Sequence, residues 1–306
     1  MPSRAIHNNG VSVFVYFLLC GFNLEANKAS PLTLVRYRFH NVHGLADRVF
    51  RKFYLREQRS VCDILMVAET NIRPFVDRAD ERTTASHWPR GQSTCFAPGP
   101  GATGRGMALF VADSVDYKDE QVLFRGPCGR ILVVRASVYG RDTLIVGFHA
   151  DNTPEDETLP DGTVHRVSAD EVMRRSIHRL RAALESLPTV QDTFLLTDLN
   201  HEQDPSLDYY TPDATARRQR HPLGSRAFAD LMRDLSLSDA FRHLYPTKQE
   251  FTHLGRVRHS GDTTKARLDC GFVSENLLSG SAPALHDVMH ILSLIHISEP
   301  TRPNFI

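Results

Sequence analysis

Gln191 to Asp208, QDTFLLTDLNHEQDPSLD, places a carboxylate and an amide at the end of an apolar run, with one residue between them. Thr193 to Leu196 is β-rich and of buried-strand length. Alternate side chains of a strand share a face. Asp198 and Asn200 can therefore leave the strand tip together, where they can activate and orient one water molecule or one metal ion. An Asp-x-Asn turn uses the same letters, so the neighbouring runs must arbitrate. Three more polar residues stand where apolar runs end: Asn41 after LTLVRYRF, Glu69 after CDILMVA and His149 after LIVGF. In open α/β sheets such ends gather at one rim, where ligands bind. Asp269 lies inside the run RLDCGFV. An unpaired carboxylate is costly there, so it demands a histidine or arginine partner.

Positioning these groups is the task of the apolar runs and the helices between them. Leu32 to Phe39 predicts a strand with Val35, Tyr37 and Phe39 on one face. Cys62 to Ala68 is apolar almost throughout, as in a strand buried on both faces. Met107 to Val111, Ile131 to Tyr139 and Leu144 to Phe148 predict three further strands. Between Glu69 and Met107, Pro89, Gly91, Pro98, Gly99, Pro100 and Gly101 predict a loop. Leu45, Val49 and Phe53 recur at helical spacing within Leu45 to Gln58. Ser168 and Glu171 form a capping box before the stripe Met173, Ile177, Leu180, Leu184 and Leu187. Ser225 can cap a second helix carrying Phe228, Leu231, Met232 and Leu235. The alternation predicts an α/β fold, two packed β-sheets flanked by helices in a four-layer sandwich.

A chain of 306 residues can bury a sizeable core in one large or two ordinary domains. Hydrophobic content of 41% and charged content of 24% exclude a disordered or fibrous chain. The net charge is zero, so a nucleic-acid partner would need a local basic patch. Five scattered cysteines without a CxxC pair indicate neither a zinc site nor a disulfide framework, and fit a reduced, intracellular compartment. Val11 to Cys20, VSVFVYFLLC, is too short to span a bilayer and no small-x-small cleavage site follows it. It reads as an early buried strand or as accidentally translated upstream sequence. Residues 1–30 are left unassigned, outside the domain.

Taken in order, NVHGL, DILMVAET, GRGMALFV, FHADN, FLLTDLN and RLDCGFVSENLL resemble the endonuclease/exonuclease/phosphatase superfamily, over Leu32 to Leu278. Within it, TDLN running into DPSLD, then LSDAFR, the pair Phe251–Thr252 and RLDCGFVS resemble the apurinic-type endonuclease domain of LINE (non-LTR) retrotransposons. The resemblance implies Mg²⁺-dependent (or Mn²⁺-dependent) phosphodiester hydrolysis by a DNA-nicking endonuclease. It makes Glu69 the main metal ligand, with Asn41 beside the metal. Asp198 becomes the base or orienter of the attacking water, and Asn200 holds phosphate and water. Asp269 would orient the family's late histidine. His149 stands where LINE and apurinic enzymes place a tyrosine; pancreatic-type deoxyribonucleases use a histidine there as general acid. His43 replaces the more usual acid or amide of NVHGL. Arg217, Arg218 and Arg220 suit DNA phosphates. The implied partners are DNA and a reverse transcriptase domain in the same parent polyprotein, with a nuclear location. A free-standing apurinic endonuclease or deoxyribonuclease, and a non-catalytic DNA-binding remnant, are the alternatives. Phosphatases of lipid head groups or sugar phosphates share the fold.

The superfamily closes with a Ser-Asp-His motif that this chain lacks; His286–Asp287 has the reverse order. Leu292 to Pro303, LSLIHISEPTRP, resembles a translated transposase-type sequencing adapter. The expected domain is thus 31–291, truncated at its C-terminus, followed by an artefactual tail over 292–306. With the last strand missing, weak or no activity is expected.

Overall fold

The computed structural model describes residues 12–19, 22–23, 28–29, 33–42, 44–45, 47–72, 84–89, 91–97, 106–211, 221–254, 264–279 and 284–291. In chain order the main elements are β1 (Ser12–Leu19), β2 (Thr33–Asn41), α1 (Arg48–Val61), β3 (Ile64–Ala68), β4 (Gly91–Ala97) and β5 (Met107–Ala112). Then come β6 (Tyr117–Arg125), β7 (Ile131–Val138), β8 (Arg141–His149), α2 (Ala169–Glu185) and β9 (Asp192–Asp198). The last are α3 (Pro222–Asp234), β10 (Leu237–Asp239), β11 (Asp269–Ser274) and β12 (Ala284–Ile291).

Two six-stranded sheets result, ordered β12-β1-β2-β3-β5-β4 and β10-β11-β9-β8-β7-β6. Each holds one parallel pair: β2 with β3, where Asn41 faces Ala68, and β8 with β9, where His149 faces Asp198. Parallel neighbours need a long crossover, and α1 and α2 lie in those two connections. Tyr54 and Leu55 of α1 pack on Leu65, Val67 and Phe110 over the outer face of the first sheet. Met173, Ile177 and Leu180 of α2, with Phe228 and Leu231 of α3, cover the outer face of the second. The inner faces meet through Tyr37, Phe39, Met66, Leu109, Val134, Ile145, Phe194 and Leu196. Tyr37 stacks on Phe194 across the sheets, ring centroids 4.3 Å apart. The layers are helix, sheet, sheet, helices, the four-layer α/β sandwich that the alternation predicts.

Several expectations change. Residues 12–19, set outside the domain on composition, form β1 and pair along their length with β2. Ala284–Ile291 forms β12, paired with β1 from Ser12–Ile291 to Leu18–Ala284, whereas the closing strand expected to be missing would follow Ile291, outside the described residues. Backbone pairing decides both, and neither segment carries a charge pattern that announces it. Gly91–Ala97 is a strand rather than loop, and the polar edge strand β6 has no apolar run to betray it. In α1 the expected stripe is wrong: Val49 and Phe53 are 80% and 69% exposed. The buried face is Arg51, Tyr54, Leu55 and Gln58, because the helix starts at Arg48 and turns that side to the sheet. Ser168 does cap α2, accepting from the Glu171 N–H at 3.3 Å. Ser225 does not cap α3, which begins three residues earlier; the Asp170 carboxylate of α2 accepts the Leu223 and Gly224 N–H groups instead. The tail 292–306 lies outside the described residues.

Two features hold the rim of the sandwich. Arg267, fully buried, donates to Asp208 at 2.8 Å and to Asp239 at 2.6 Å, and Arg242 also bonds Asp208. This cluster ties the chain after β9 to the entry of β11. At Gly147 the two sheets approach closely: a Cβ there would lie 2.6 Å from Met66 Sδ and 3.0 Å from Met107 Cε.

Asp208→Asn is expected to destabilise by about 3–5 kcal/mol, the scale of leaving a buried cation unbalanced, read from urea denaturation; a loss under 1 kcal/mol would show that the cluster is not needed. Gly147→Ala should be tolerated, since methionine ends can shift. Gly147→Val should cost roughly 1–3 kcal/mol by overpacking, and equal stability of the two variants would contradict the close approach.

Candidate active site

Side chains of a strand alternate between faces, so the core-facing series of each strand can be followed to the rim. In β2 it runs Tyr37, Phe39, Asn41; in β8 Ile145, Gly147, His149; in β9 Phe194, Leu196, Asp198; in β11 Val273, Gly271, Asp269. Each series is apolar or glycine until its last member. The site is therefore the polar top of the inter-sheet core. Asp269 begins β11 rather than lying mid-strand, and this puts it opposite Asp198.

Glu69 follows Ala68, whose side faces the core, and simple alternation would turn Glu69 outward. Its φ of 53° is left-handed, uncommon for a residue with a side chain. That turn redirects the carboxylate inward, and such backbone strain recurs at functional sites. Gly106, at φ 104°, lets the next strand pass close: a Cβ there would lie 2.5 Å from Thr70 Oγ1. Asn200 is also left-handed, at φ 55°.

The groups converge. Asn41 Nδ2 donates to Asp198 Oδ2 at 3.0 Å, across 157 residues and from one sheet to the other. Asp198 Oδ1 accepts the Asn200 N–H at 3.0 Å, and Asn200 Nδ2 donates to the Ala150 carbonyl at 2.8 Å. His149 Nε2 lies 3.5 Å from Glu69 Oε1 and 3.8 Å from Asp198 Oδ2. Burial pushes the His149 imidazole below its usual range; Asp198 pulls it up, Arg130 pushes it down and Glu69 pulls it up. The ring is thus neutral near neutral pH. Thr252 Oγ1 accepts the Leu268 and Asp269 N–H groups at 2.9 and 3.1 Å. Asp269 Oδ1 is buried and meets no hydrogen-bond donor among the described residues. Burial, and then the neighbouring Asp198, hold the Asp269 carboxyl well above the usual range.

All six residues singled out at strand ends, Asn41, Glu69, His149, Asp198, Asn200 and Asp269, lie at this one rim. Arg217, Arg218, Arg220 and His43 lie outside the described residues. Three participants were not predicted as such. Arg130 sits against the His149 ring, Asp151 against Arg130, and Thr252 under Asp269. Arg130 stands directly before a strand, and Asp151 lies two residues after His149 in FHADN; those placements were the available signals. His286 and Asp287 belong to β12, where Asp287 pairs with Tyr16 in the middle of β1, whereas Ser12 of β1 pairs with His40 at the rim.

As donors, Glu69, Asp198 and the Asn41 amide offer hard oxygen ligands. Such a set suits Mg²⁺, which keeps several waters and needs only one or two protein ligands. Among the described residues no cluster of three or more histidine, cysteine or acidic groups forms a closed cage.

No protein-family model matches the chain, and no curated protein matches it. Solved structures do. An AP endonuclease from Leishmania major superposes with a TM-score of 0.55 at 20% identity, covering 82% of this chain and 85% of that one. An AP endonuclease from Archaeoglobus fulgidus gives 0.54 at 18% identity, covering 84% and 98%. A 3′-5′ exonuclease from Neisseria meningitidis gives 0.53 at 17% identity, covering 82% and 96%. The chain therefore has the α/β sandwich fold of these proteins.

Asp269 supports a pH test. Its folded-state pKa is raised, so the folded protein holds this proton more tightly than the unfolded chain does. The burial penalty is absent below the ordinary carboxylate range and grows as pH rises toward the folded value. Relative to wild type, Asp269→Asn should be of similar stability near pH 4 and more stable by roughly 1–3 kcal/mol at neutral pH. Urea midpoints across pH measure this; a pH-independent difference would refute the buried carboxylate with one unmet oxygen.

Proposed function

We propose that this chain is a Mg²⁺-dependent (or Mn²⁺-dependent) phosphodiesterase that nicks DNA, the endonuclease domain of a LINE-type retroelement. The observation that carries the hydrolytic reading is the convergence of Glu69, Asp198 and His149 on one rim, with Asn41 bonding Asp198 across the sheets. The fold shared with AP endonucleases and a 3′-5′ exonuclease supports it. A structure of a 3′ phosphatase from Neisseria bound to product DNA hairpin, with a TM-score of 0.54 at 17% identity, supports DNA as the partner. LINE origin, a reverse transcriptase domain in the parent polyprotein and a nuclear location rest on the sequence blocks alone.

Hydrolysis adds a water oxygen to phosphorus and breaks one P–O ester bond. Asp198, held by Asn41 and by the Asn200 N–H, accepts the proton of the attacking water. Asn200, fixed to the Ala150 carbonyl, orients that water and the phosphate. His149 Nε2 faces the same space, so its N–H can hydrogen-bond the departing oxygen, which takes its proton from solvent water. Glu69, with Asn41 beside it, would hold Mg²⁺, which supplies charge stabilisation to the phosphoryl oxygens. Asp269 Oδ1 meets no donor among the described residues. The second imidazole implied at that carboxylate is not among them, which favours weak nicking by this chain, or the reading as a DNA-binding remnant.

The test uses supercoiled plasmid and an oligonucleotide duplex with and without one abasic site. Wild type should nick in Mg²⁺ and not in chelator. Glu69→Gln and Asp198→Asn should each lower nicking by roughly 10²-fold or more, while gel-shift affinity for DNA changes little. Undiminished nicking in both variants would refute these roles. Preference for the abasic duplex would favour a free-standing apurinic endonuclease over the LINE reading.

A further inference from the structure

His149 has a neighbour that the hydrolytic scheme leaves unused. Arg130, 9% exposed, precedes β7, and its carbonyl accepts the His149 N–H at 2.9 Å. Its Nη1 lies 3.0 Å from His149 Nδ1 and 3.3 Å from Nε2. The Arg130 Nε, in turn, lies 3.3 Å from Asp151 Oδ2, an ion pair without an aligned hydrogen bond. Asp151 is thus the counter-charge that lets a nearly buried guanidinium stay beside the imidazole.

A guanidinium can only donate. The ring nitrogen nearest to it must therefore present its lone pair, and that nitrogen is Nδ1. In a neutral imidazole the proton is then on Nε2. The carboxylates agree, although Arg130 Nη1 is also within reach of Nε2. Nε2 faces Glu69 Oε1 at 3.5 Å and Asp198 Oδ2 at 3.8 Å, and both are acceptors. The reverse tautomer would set an N–H against Arg130 at the shorter of its two contacts and a lone pair against two carboxylates. Both contacts would be repulsive.

We propose that Arg130, anchored by Asp151, is a positioning residue that donates to His149 Nδ1 and so keeps the imidazole proton on Nε2, aimed into the site. The proposal rests on the nuclease reading for its purpose, since the Nε2–H is the donor that would face a phosphoryl or departing oxygen. Arg130 itself moves no proton. Without it a neutral His149 is free to carry its proton on Nδ1, pointing away from the site.

The experiment is a long-range proton–nitrogen spectrum of metal-free protein labelled with ¹⁵N-histidine, above neutral pH and without DNA. The chain has 15 histidines, so His149→Gln assigns the resonance. Wild type should show His149 as the Nε2–H tautomer. Arg130→Met should show a mixture. Its nicking kcat should fall by about 10–10²-fold, the usual scale for losing an outer orienting partner, with KM for DNA little changed. Arg130→Lys, which retains a donor, should recover part of both. An Nδ1–H tautomer in wild type, or an unshifted Nε2–H tautomer in Arg130→Met, would overturn the proposal. If Arg130→Met does not fold, the wild-type spectrum and that of Asp151→Asn decide it by the same two outcomes. The spectra need neither metal nor DNA. A protein that never nicks would sink the nuclease reading and leave the tautomer result standing.

Discussion

Two parallel strand pairs, packed face to face, end at the same rim, and the site follows from that arrangement. Parallel neighbours run the same way, so β2 and β3 deliver Asn41 and Glu69 at one end of their sheet, and β8 and β9 deliver His149 and Asp198 at one end of theirs. Packing the inner faces through Tyr37, Phe194, Met66 and Ile145 aligns those two ends. The Asn41–Asp198 hydrogen bond then crosses the seam. Gly147 lies two residues before His149 and allows the second sheet to rest against Met66 and Met107. Proximity of the rim groups is thus a product of core packing more than of any loop.

The same geometry crowds negative charge. Glu69, Asp198 and Asp269 meet at the top of an apolar core, where carboxylates repel each other and lack water. The structure answers with directed donors: the Asn41 amide and the Asn200 N–H on Asp198, and Thr252 beside Asp269. Asp269 retains an unmet oxygen. A site left short of positive charge is suited to a cation or a cationic side chain, and that shortage is the electrostatic counterpart of the hydrolytic reading. Arg130 supplies positive charge nearby, but Asp151 balances it and the His149 ring stands between it and the carboxylates. Farther out, the Asp208–Arg267–Asp239 cluster does the opposite kind of work. It is closed, buried and fully paired at both carboxylates, and it fixes where β11 begins.

At 16–20% identity, what this chain has in common with AP endonucleases and related nucleases is the layered topology. That topology is robust because it needs only apolar inner faces and two crossovers. The rim, by contrast, is formed by a few side chains at the strand ends.

What the amino-acid sequence determined by itself was whatever a local pattern encodes. Ile64–Ala68, Met107–Ala112 and Asp192–Asp198 are apolar enough to announce buried strands, and the stripe Met173, Ile177, Leu180, Leu184 announces the buried face of α2. Polar residues ending those runs pointed to one rim, since strand ends are where local pattern and topology coincide. The tertiary structure alone decided the rest. Edge strands such as Tyr117–Arg125 are polar because water covers them, and so they look like loops. The buried side of α1 depends on where the helix starts and which sheet it meets, so Val49 and Phe53 could be misplaced inside. The places of Ser12–Leu19 and Ala284–Ile291 come from backbone pairing between segments far apart in the chain. Arg130 against His149, and Asn41 against Asp198, are contacts across strands and sheets. No periodicity encodes such pairs, because the partners become neighbours only when the two sheets close.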